Sequence, residues 1–245
     1  MKKKLSVVLP TFNEAENIQK VLKEAISVLK GLQYDWEILV VDNASHDDTK
    51  QKILPFLDKY KNIKAIFHSS NLGYGASTKT GLKAAKGDII IIMDSDGQHT
   101  AKDIPKFIEK INNGYGLAVG WKINRQDPFL RVFLSNVYNL LFRIIFGIWL
   151  HDVDCGYKAY DQKLAKSIKL EYTTVPNGTE ICAKAASMGC RIAEIKVHHF
   201  PRKKGKSIYN PYHLAKTVFK TFLSLITLRL HLLREKNRMP AHQTS

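Results

Sequence analysis

Two carboxylates one residue apart, Asp94 and Asp96, stand directly after the apolar run Ile89-Ile90-Ile91-Ile92-Met93. Residues two apart on an extended segment share a face, so the pair can hold one hard divalent cation through oxygen. Gln98 and His99 follow; oxygen ligation suits such an ion better than imidazole does, and His99 is given no role. For Asp-x-Asp alone, a turn carrying two solvated acids is the alternative. Asp42 likewise ends an apolar run, Trp36 to Val41, and Asn71-Leu72-Gly73-Tyr74-Gly75 is a glycine-rich turn that lets backbone approach a ligand or adopt positive φ. Pro201-Arg202-Lys203-Lys204-Gly205-Lys206-Ser207 is a basic loop, which by itself is as consistent with a solvated charge run as with an anion site.

These residues need strands to position them. A β-branched run without alternation, such as Ile89–Met93, reads as a strand buried on both faces of a parallel sheet, and ligands of such sheets bind outside the carboxyl ends of the strands. Leu5–Leu9, Trp36–Val41 and Ile63–Phe67 read as three further strands. Between them, Thr11 and Glu14 have the spacing of a capping box ahead of the stripe Val21, Leu22, Ala25, Ile26 and Leu29, and Asp47-Asp48-Thr49 opens a second helix. A third helix runs through Ala84-Ala85 before Gly87. Strands alternating with helices imply right-handed βαβ units, hence an α/β fold with a mostly parallel sheet flanked by helices. The reading is one α/β domain over 1–210, followed by an amphipathic helix and basic tail over 211–245.

Composition narrows the partner. The 245 residues carry 38 Lys and Arg against 22 Asp and Glu, a formal charge of +16, so an anionic partner is expected: nucleic acid, phospholipid or phosphorylated substrate. Cys155, Cys182 and Cys190 form no CxxC pair, which suits a reducing compartment and argues against structural zinc. Lys2-Lys3-Lys4 precedes only a short apolar segment, too brief for a signal-peptide core, so a cytoplasmic location is expected.

Four ordered segments then carry a resemblance: Val7-Val8-Leu9-Pro10-Thr11-Phe12-Asn13-Glu14, Val40-Val41-Asp42-Asn43-Ala44-Ser45, Asn71-Leu72-Gly73-Tyr74-Gly75-Ala76 and Asp94-Ser95-Asp96-Gly97-Gln98-His99. Together they resemble family 2 glycosyltransferases, most of all polyprenyl-phosphate glycosyltransferases of the dolichyl-phosphate mannose synthase type, over roughly residues 5 to 207. The resemblance implies a GT-A (Rossmann-like) fold, a GDP- or UDP-hexose donor, Mg²⁺ or Mn²⁺, and a polyprenyl (dolichyl or undecaprenyl) phosphate acceptor, with inversion at the anomeric carbon.

Residue by residue, the resemblance places Pro10, Phe12, Asn13, Glu14 and Asp42 around the nucleotide, with Asn71 and Gly73 beside them. Asn43 stands where many relatives have Asp, and Asp42 or Glu14 could instead serve as turn or capping residues. Asp96 is the implied metal ligand, Asp94 supports the nucleotide-sugar end and the metal, and Gln98 completes the metal or phosphate environment. On the acceptor side, Lys122 replaces the family's Arg, with Arg125 and Arg131 nearby to supply the bidentate fork that Lys lacks. Asp152, in His151-Asp152-Val153-Asp154-Cys155-Gly156-Tyr157-Lys158, matches the family acid. An acceptor phosphate is already anionic, so Asp152 is expected to position the acceptor or hold structure more than to act as base. Glu180 matches a helix acid of the family. Arg202 and Ser207 match an Arg-x-x-Gly-x-Ser loop whose Arg contacts phosphate near the metal.

Two helices bear on the membrane. From Leu130 a stripe of Phe133, Leu134, Val137, Leu140, Leu141, Ile144, Ile145 and Ile148 recurs, while Phe142, Phe146 and Trp149 make a second apolar face. With Arg131 and Arg143 this suits a helix lying at a bilayer; a homodimer interface, a membrane-anchoring partner or burial between layers are the alternatives. The helix from Tyr212 to Arg234 is interrupted by Lys216, Lys220, Arg229 and Arg234, so it is expected to lie on an anionic membrane or a partner rather than cross. The protein is thus read as peripheral on the cytoplasmic face. The other functional readings are a family 2 enzyme acting on a surface glycan, a non-catalytic nucleotide-sugar-binding protein, and a nucleic-acid-binding module. The last lacks any recognisable motif and leaves the acidic strand ends unexplained, so no nucleic acid is expected.

Overall fold

The computed structural model describes residues 2–123, 125, 129–171, 176–201 and 214–238, with side chains in the last stretch for 222–234. Strands β1 (Lys4–Thr11), β2 (Asp35–Asp42), β3 (Ile63–Phe67) and β4 (Ile89–Ile92) run parallel, as their apolar runs predict. With β5 (Leu117–Ile123), β6 (Lys158–Asp161) and β7 (Ile192–His198) they form a seven-stranded sheet of order β3-β2-β1-β4-β6-β5-β7. Only β6 breaks the common direction, pairing antiparallel with both β4 and β5. All four residues of β4 are buried, and full burial of each such Ile stabilises by about 1.5–3 kcal/mol relative to exposure.

The helices are α1 (Ile18–Lys30), α2 (Thr49–Lys59), α3 (Tyr74–Ala84), α4 (Ile104–Asn112), α5 (Phe129–Phe146), α6 (Gln162–Ser167), α7 (Asn177–Ser187) and α8 (Leu214–Arg238). The chain goes from β1 through α1 to β2 on one side, then returns through α3 to β4 on the other side of β1. The strand order therefore reverses between β1 and β4, the place where open α/β sheets leave a crevice. Met93 N donates to Val8 O at 3.0 Å and Ser95 Oγ to Pro10 O at 2.8 Å, locking the two strand ends together beneath it.

The capping box does not form. Thr11 is the last residue of β1, its Oγ1 donating to Leu9 O, and α1 begins only at Ile18 with Asn17 as its N-cap. Residues 12–17 instead make a turn closed by Asn17 N and Ile18 N on Glu14 O. Asn13 sits at φ 54°, a left-handed conformation for which Asn is well suited and which a helical first turn forbids. The apolar stripe of α1 is as expected: Ile18, Val21, Leu22, Ala25, Ile26 and Leu29 are buried.

Neither face predicted for α5 is buried whole: Asn139, Phe142 and Phe146 are buried and Leu141, Ile145 and Ile148 pack partly against the core, while Phe133, Leu140 and Ile144 of the longer stripe and Trp149 of the shorter face are exposed. Helix α8 packs on α5 and α7, and its Leu225, Leu228 and Leu232 join the common core. The expected boundary at residue 210 and the start at Tyr212 lie outside the described residues.

Candidate active site

A recess of about 510 Å³ opens at the β1/β4 crevice, lined by Pro10–Glu14, Asn43, Asn71, Gly73, Tyr74, Ser77 and Asp94–Asp96. Most of the residues expected around the nucleotide are therefore brought together. Polar bonds between the loops after β1 and β2 hold its floor. Asn13 N donates to Ser45 Oγ at 2.9 Å and Asn13 Oδ1 accepts from His46 N at 2.8 Å, while Glu14 N donates to Thr49 Oγ1 at 2.9 Å. Asp47 accepts from Ala15 N and Thr49 N; its partial burial opposes ionisation, but these bonds prevail and its pKa is lowered.

Asp42 ends β2 as predicted but does not line the recess. Its carboxylate accepts from both Ser45 Oγ and Ser45 N, the turn role that the residue type also allows. Asn43 faces the recess in its place. Its Nδ2 donates to Asn71 Oδ1 at 2.7 Å and its Oδ1 accepts from Leu72 N at 3.0 Å, so it shapes the Asn71–Gly73 turn. Gly73 has φ 86° and caps α3, whose N-terminus opens on the recess; backbone N–H groups and the helix dipole at such an end favour an anion. Ser77 Oγ, on the first turn of α3, is buried without a hydrogen-bond partner among the described residues, as a site for a missing polar ligand would have it.

Asp94 Oδ1 accepts from Tyr74 OH at 2.8 Å, and Asp96 Oδ1 from Gln98 N at 3.0 Å. Enclosure in the cleft and the neighbouring Asp94 push the Tyr74 phenol well above its ordinary pKa, so it remains a donor even though its ring is part-exposed. A Cβ built on Gly156 would lie 1.9 Å from Asp94 Oδ2, so only glycine lets the segment before β6 come this close to the carboxylate. Among the described residues no cluster of three or more His, Cys, Asp or Glu side chains forms a metal cage. Two carboxylates at the edge of an anion-binding recess do fit Mg²⁺ or Mn²⁺, ions commonly held by one or two carboxylates and completed by substrate phosphates and water.

Gln98 also reaches the residues that follow β7. Its Nε2 donates to Phe200 O at 3.2 Å and lies 3.3 Å from His199 Nε2, while its backbone carbonyl accepts from Phe200 N at 2.9 Å. These bonds fasten the end of the chain's approach to Arg202 beside Asp96. Arg202 and Ser207 themselves lie outside the described residues.

Of the residues expected on the acceptor side, the structure pairs two that the sequence treated separately. Lys122 Nζ, on β5, lies 3.4 Å from Asp152 Oδ2, with both side chains largely buried. Burial acts to lower the Lys122 pKa, but Asp152 overrides it and the net shift is upward, so the ammonium persists. Arg125 turns to Ser135 Oγ at 2.8 Å, and Arg131 sits on the exposed part of α5. Glu194, on β7, accepts from the backbone N–H of both His151 and Asp152 and lies 2.7 Å from His151 Nδ1, a clamp that the sequence did not reveal.

Across Tyr74, a second recess of about 630 Å³ is lined by Asp154, Gly156, Lys158, Asn177, Glu180 and Lys79 among others. Glu180 is on its wall, yet its Oε1 accepts from Glu171 N at 2.7 Å and from Lys184 Nζ at 2.9 Å, bonds that hold structure. Asp154 lines this recess and is exposed to solvent there, but the protein packed around the recess desolvates its carboxylate, and this, only partly offset by Lys158, raises its pKa to about 6. Tyr74 and Asp154 were missed as site residues. The first is an aromatic inside a glycine turn and the second an acid two positions from Asp152, and in neither case does residue type reveal the cleft it faces.

An undecaprenyl-phosphate 4-deoxy-4-formamido-L-arabinose transferase of Pseudomonas fluorescens is 28% identical over 230 residues, covering 94% of this chain and 67% of its own length. Its namesake in Salmonella choleraesuis is 29% identical over 235 residues, covering 94% and 70%. Among solved structures, glucosyl-3-phosphoglycerate synthase from Mycobacterium tuberculosis, in complex with Mn²⁺, UDP and glucosyl-3-phosphoglycerate, superposes with a TM-score of 0.68 at 21% identity, over 92% of this chain and 80% of that one. The complex of that enzyme with Mn²⁺, UDP-glucose and phosphoglyceric acid gives 0.68 at 21%, over 93% and 80%. Those likenesses show the GT-A fold. The model of glycosyl transferase family 2 matches residues 6–169, two thirds of the chain and every segment that builds the first recess, and the chain belongs to that family.

Proposed function

We propose that the protein transfers a single sugar from a nucleotide diphosphate donor to a polyprenyl phosphate at a membrane surface, with inversion. The observation that carries the reading is the Asp94/Asp96 pair at the β1/β4 crevice, lining a recess that favours an anion, with Lys122 of the Lys122–Asp152 pair near enough for its ammonium to feel the Asp94 charge. The nucleotide lies along Pro10–Glu14 and Asn43, with its diphosphate toward Asp96 and the N-terminus of α3. Asp94 and Asp96 hold Mg²⁺ or Mn²⁺, which when bound neutralises charge on the departing diphosphate. Tyr74 fixes the rotamer of Asp94. Lys122 presents a charge to the acceptor phosphate, Asp152 orients Lys122, and Arg202 meets phosphate from the loop after Phe200. Because the acceptor oxygen is already anionic, no side chain has to remove its proton.

The two relatives are named for undecaprenyl phosphate, which supports the acceptor class. A hexose from a GDP- or UDP-sugar is the donor proposed here; the same relatives are named for a formamido-arabinose, so a donor of that sugar belongs in the test. Purified protein is incubated with undecaprenyl or dolichyl phosphate, Mg²⁺ or Mn²⁺, and a panel of GDP- and UDP-hexoses plus the formamido-arabinose donor, and lipid-linked sugar is scored. One donor should give product with either lipid. Transfer to a soluble glycan instead, or no product from folded protein under any combination, refutes the proposal.

A further inference from the structure

Helix α5 has two faces of different chemistry. Outward, Phe129 (85% exposed), Phe133, Leu140 and Ile144 (70%) face solvent, and Trp149 (78%) continues the patch just past the helix end. Inward, α5 grips the acceptor-side segments with polar side chains. Ser135 Oγ accepts from Arg125 at 2.8 Å, and Tyr138 OH bonds to Thr179 Oγ1 on α7, one residue before Glu180. Asn139 Oδ1 accepts from the buried Val153 N at 3.1 Å, between Asp152 and Asp154, and Arg143 Nε donates to Leu150 O at 2.8 Å. One rigid helix thus joins an exposed apolar face to the segments that carry Lys122, Asp152 and Glu180.

The charge around the patch selects its occupant. Arg131 and Arg143 are on α5, and Arg229 and Arg234 are on α8, which packs against it. A second copy of a chain with net charge +16 would set like charge against like, whereas an anionic bilayer answers both the arginines and the apolar side chains. By length and composition α5 could cross a membrane. Crossing would pull Phe142 and Phe146 from the core and strand the Val153 N–H, so lying in the interface is the arrangement the contacts permit.

We infer that α5 seats on an anionic phospholipid surface through this outer face, and that Asn139 and Tyr138 are positioning residues, Asn139 transmitting the seating to residues 150–156 and so to the Lys122–Asp152 pair, and Tyr138 to the start of α7. The inference rests on the proposed function in taking that pair as the acceptor side. Seating restrains the helix, the two side chains restrain the two segments, and the acceptor groups are held in place only where the acceptor is found.

The test is amide hydrogen exchange of the full chain with vesicles of phosphatidylcholine, with and without phosphatidylglycerol, alongside vesicle co-sedimentation. Wild type should sediment with the phosphatidylglycerol vesicles and exchange roughly tenfold more slowly over 150–156 when bound. Ile144→Ser and Phe133→Ser should sediment less. Tyr138→Phe and Asn139→Leu should both sediment like wild type, but Asn139→Leu should show little of the slowing over 150–156 and Tyr138→Phe little of the matching wild-type slowing over 177–184; if Asn139→Leu fails to fold, Asn139→Ala takes its place. Wild type that self-associates instead of sedimenting, that sediments with no change over 150–156, or variants that slow as much as wild type would each overturn the inference. No readout requires sugar transfer, so failure of the donor panel is a separate result.

Discussion

Asp94 and Asp96 are separated in role by what touches them. Tyr74 holds Asp94 and the Gly156 backbone crowds it, whereas Asp96 is oriented by the N–H of Gln98. Asp96→Asn should cut kcat/KM by roughly 10²–10³-fold, the usual cost of one lost electrostatic contact to developing charge. Circular dichroism and thermal melting should stay near wild type, since the carboxylate supports no core packing. Gly156→Ala is the more particular prediction. Its Cβ would meet Asp94 Oδ2 at 1.9 Å, so the carboxylate must leave its position, and a displacement of about 1 Å costs roughly 10²-fold in turnover. Steady-state kinetics across a Mn²⁺ titration should show both weaker metal activation and lower kcat. Wild-type metal dependence in Gly156→Ala would mean that Asp94 is not held where the structure has it.

Element packing is close where α3 crosses β1. A Cβ on Gly81 would lie 2.2 Å from Val8 Cγ1, so Gly81→Ala should destabilise by about 1–3 kcal/mol through overpacking, read as a lower urea midpoint at unchanged slope. Val8→Ala in the same chain should recover part of the loss, and strict additivity of the two changes would contradict a direct clash. The same contact positions the N-terminus of α3, so Gly81→Ala should also weaken nucleotide binding. Strand and helix identities were largely legible here: the runs at Leu5, Trp36, Ile63 and Ile89 and the stripe of α1 became elements nearly where the pattern put them. The start of α1 was not, because Thr11-x-x-Glu14 satisfies a local pattern that the β1 ladder and the left-handed Asn13 override.

Stability of the whole molecule should depend on pH through groups with opposite signs. Glu37 is buried; desolvation alone would raise its pKa, but Ser6, the Lys86 N–H and Lys4 lower it below its ordinary value of 4.5. A depressed carboxylate contributes stability that is present above the unfolded pKa and lost as pH falls through the folded one, so Glu37 and Asp47 should steepen unfolding below about pH 4.5. Asp154 acts the other way. With a folded pKa of about 6 against 3.8, its favourable contribution exists at low pH and is lost as pH rises through about 6. Urea midpoints from pH 3 to 8 should therefore show Glu37→Gln flattening the acid limb and Asp154→Asn removing a decline between about pH 4 and 6. Identical profiles for the variants and wild type would refute both assignments.

By itself the sequence determined the class of element, the α/β architecture and the positions at which acids end strands, because burial on both faces and the switch to a loop are written in local hydrophobic pattern. Pro10, Asn13, Asn71, Gly73, Asp94 and Asp96 could accordingly be named before the fold was known. Only the tertiary structure decided that Asn43 rather than Asp42 faces the recess, that Lys122 and Asp152 are partners, that Glu194 clamps the backbone at His151 and Asp152, and that the buried side of α5 draws on both of its apolar faces. The Lys122, Asp152 and Glu194 cluster depends on strands β5, β6 and β7, far apart in sequence, meeting at one end of a mixed sheet, and no residue's type or spacing records which distant side chain will lie opposite it.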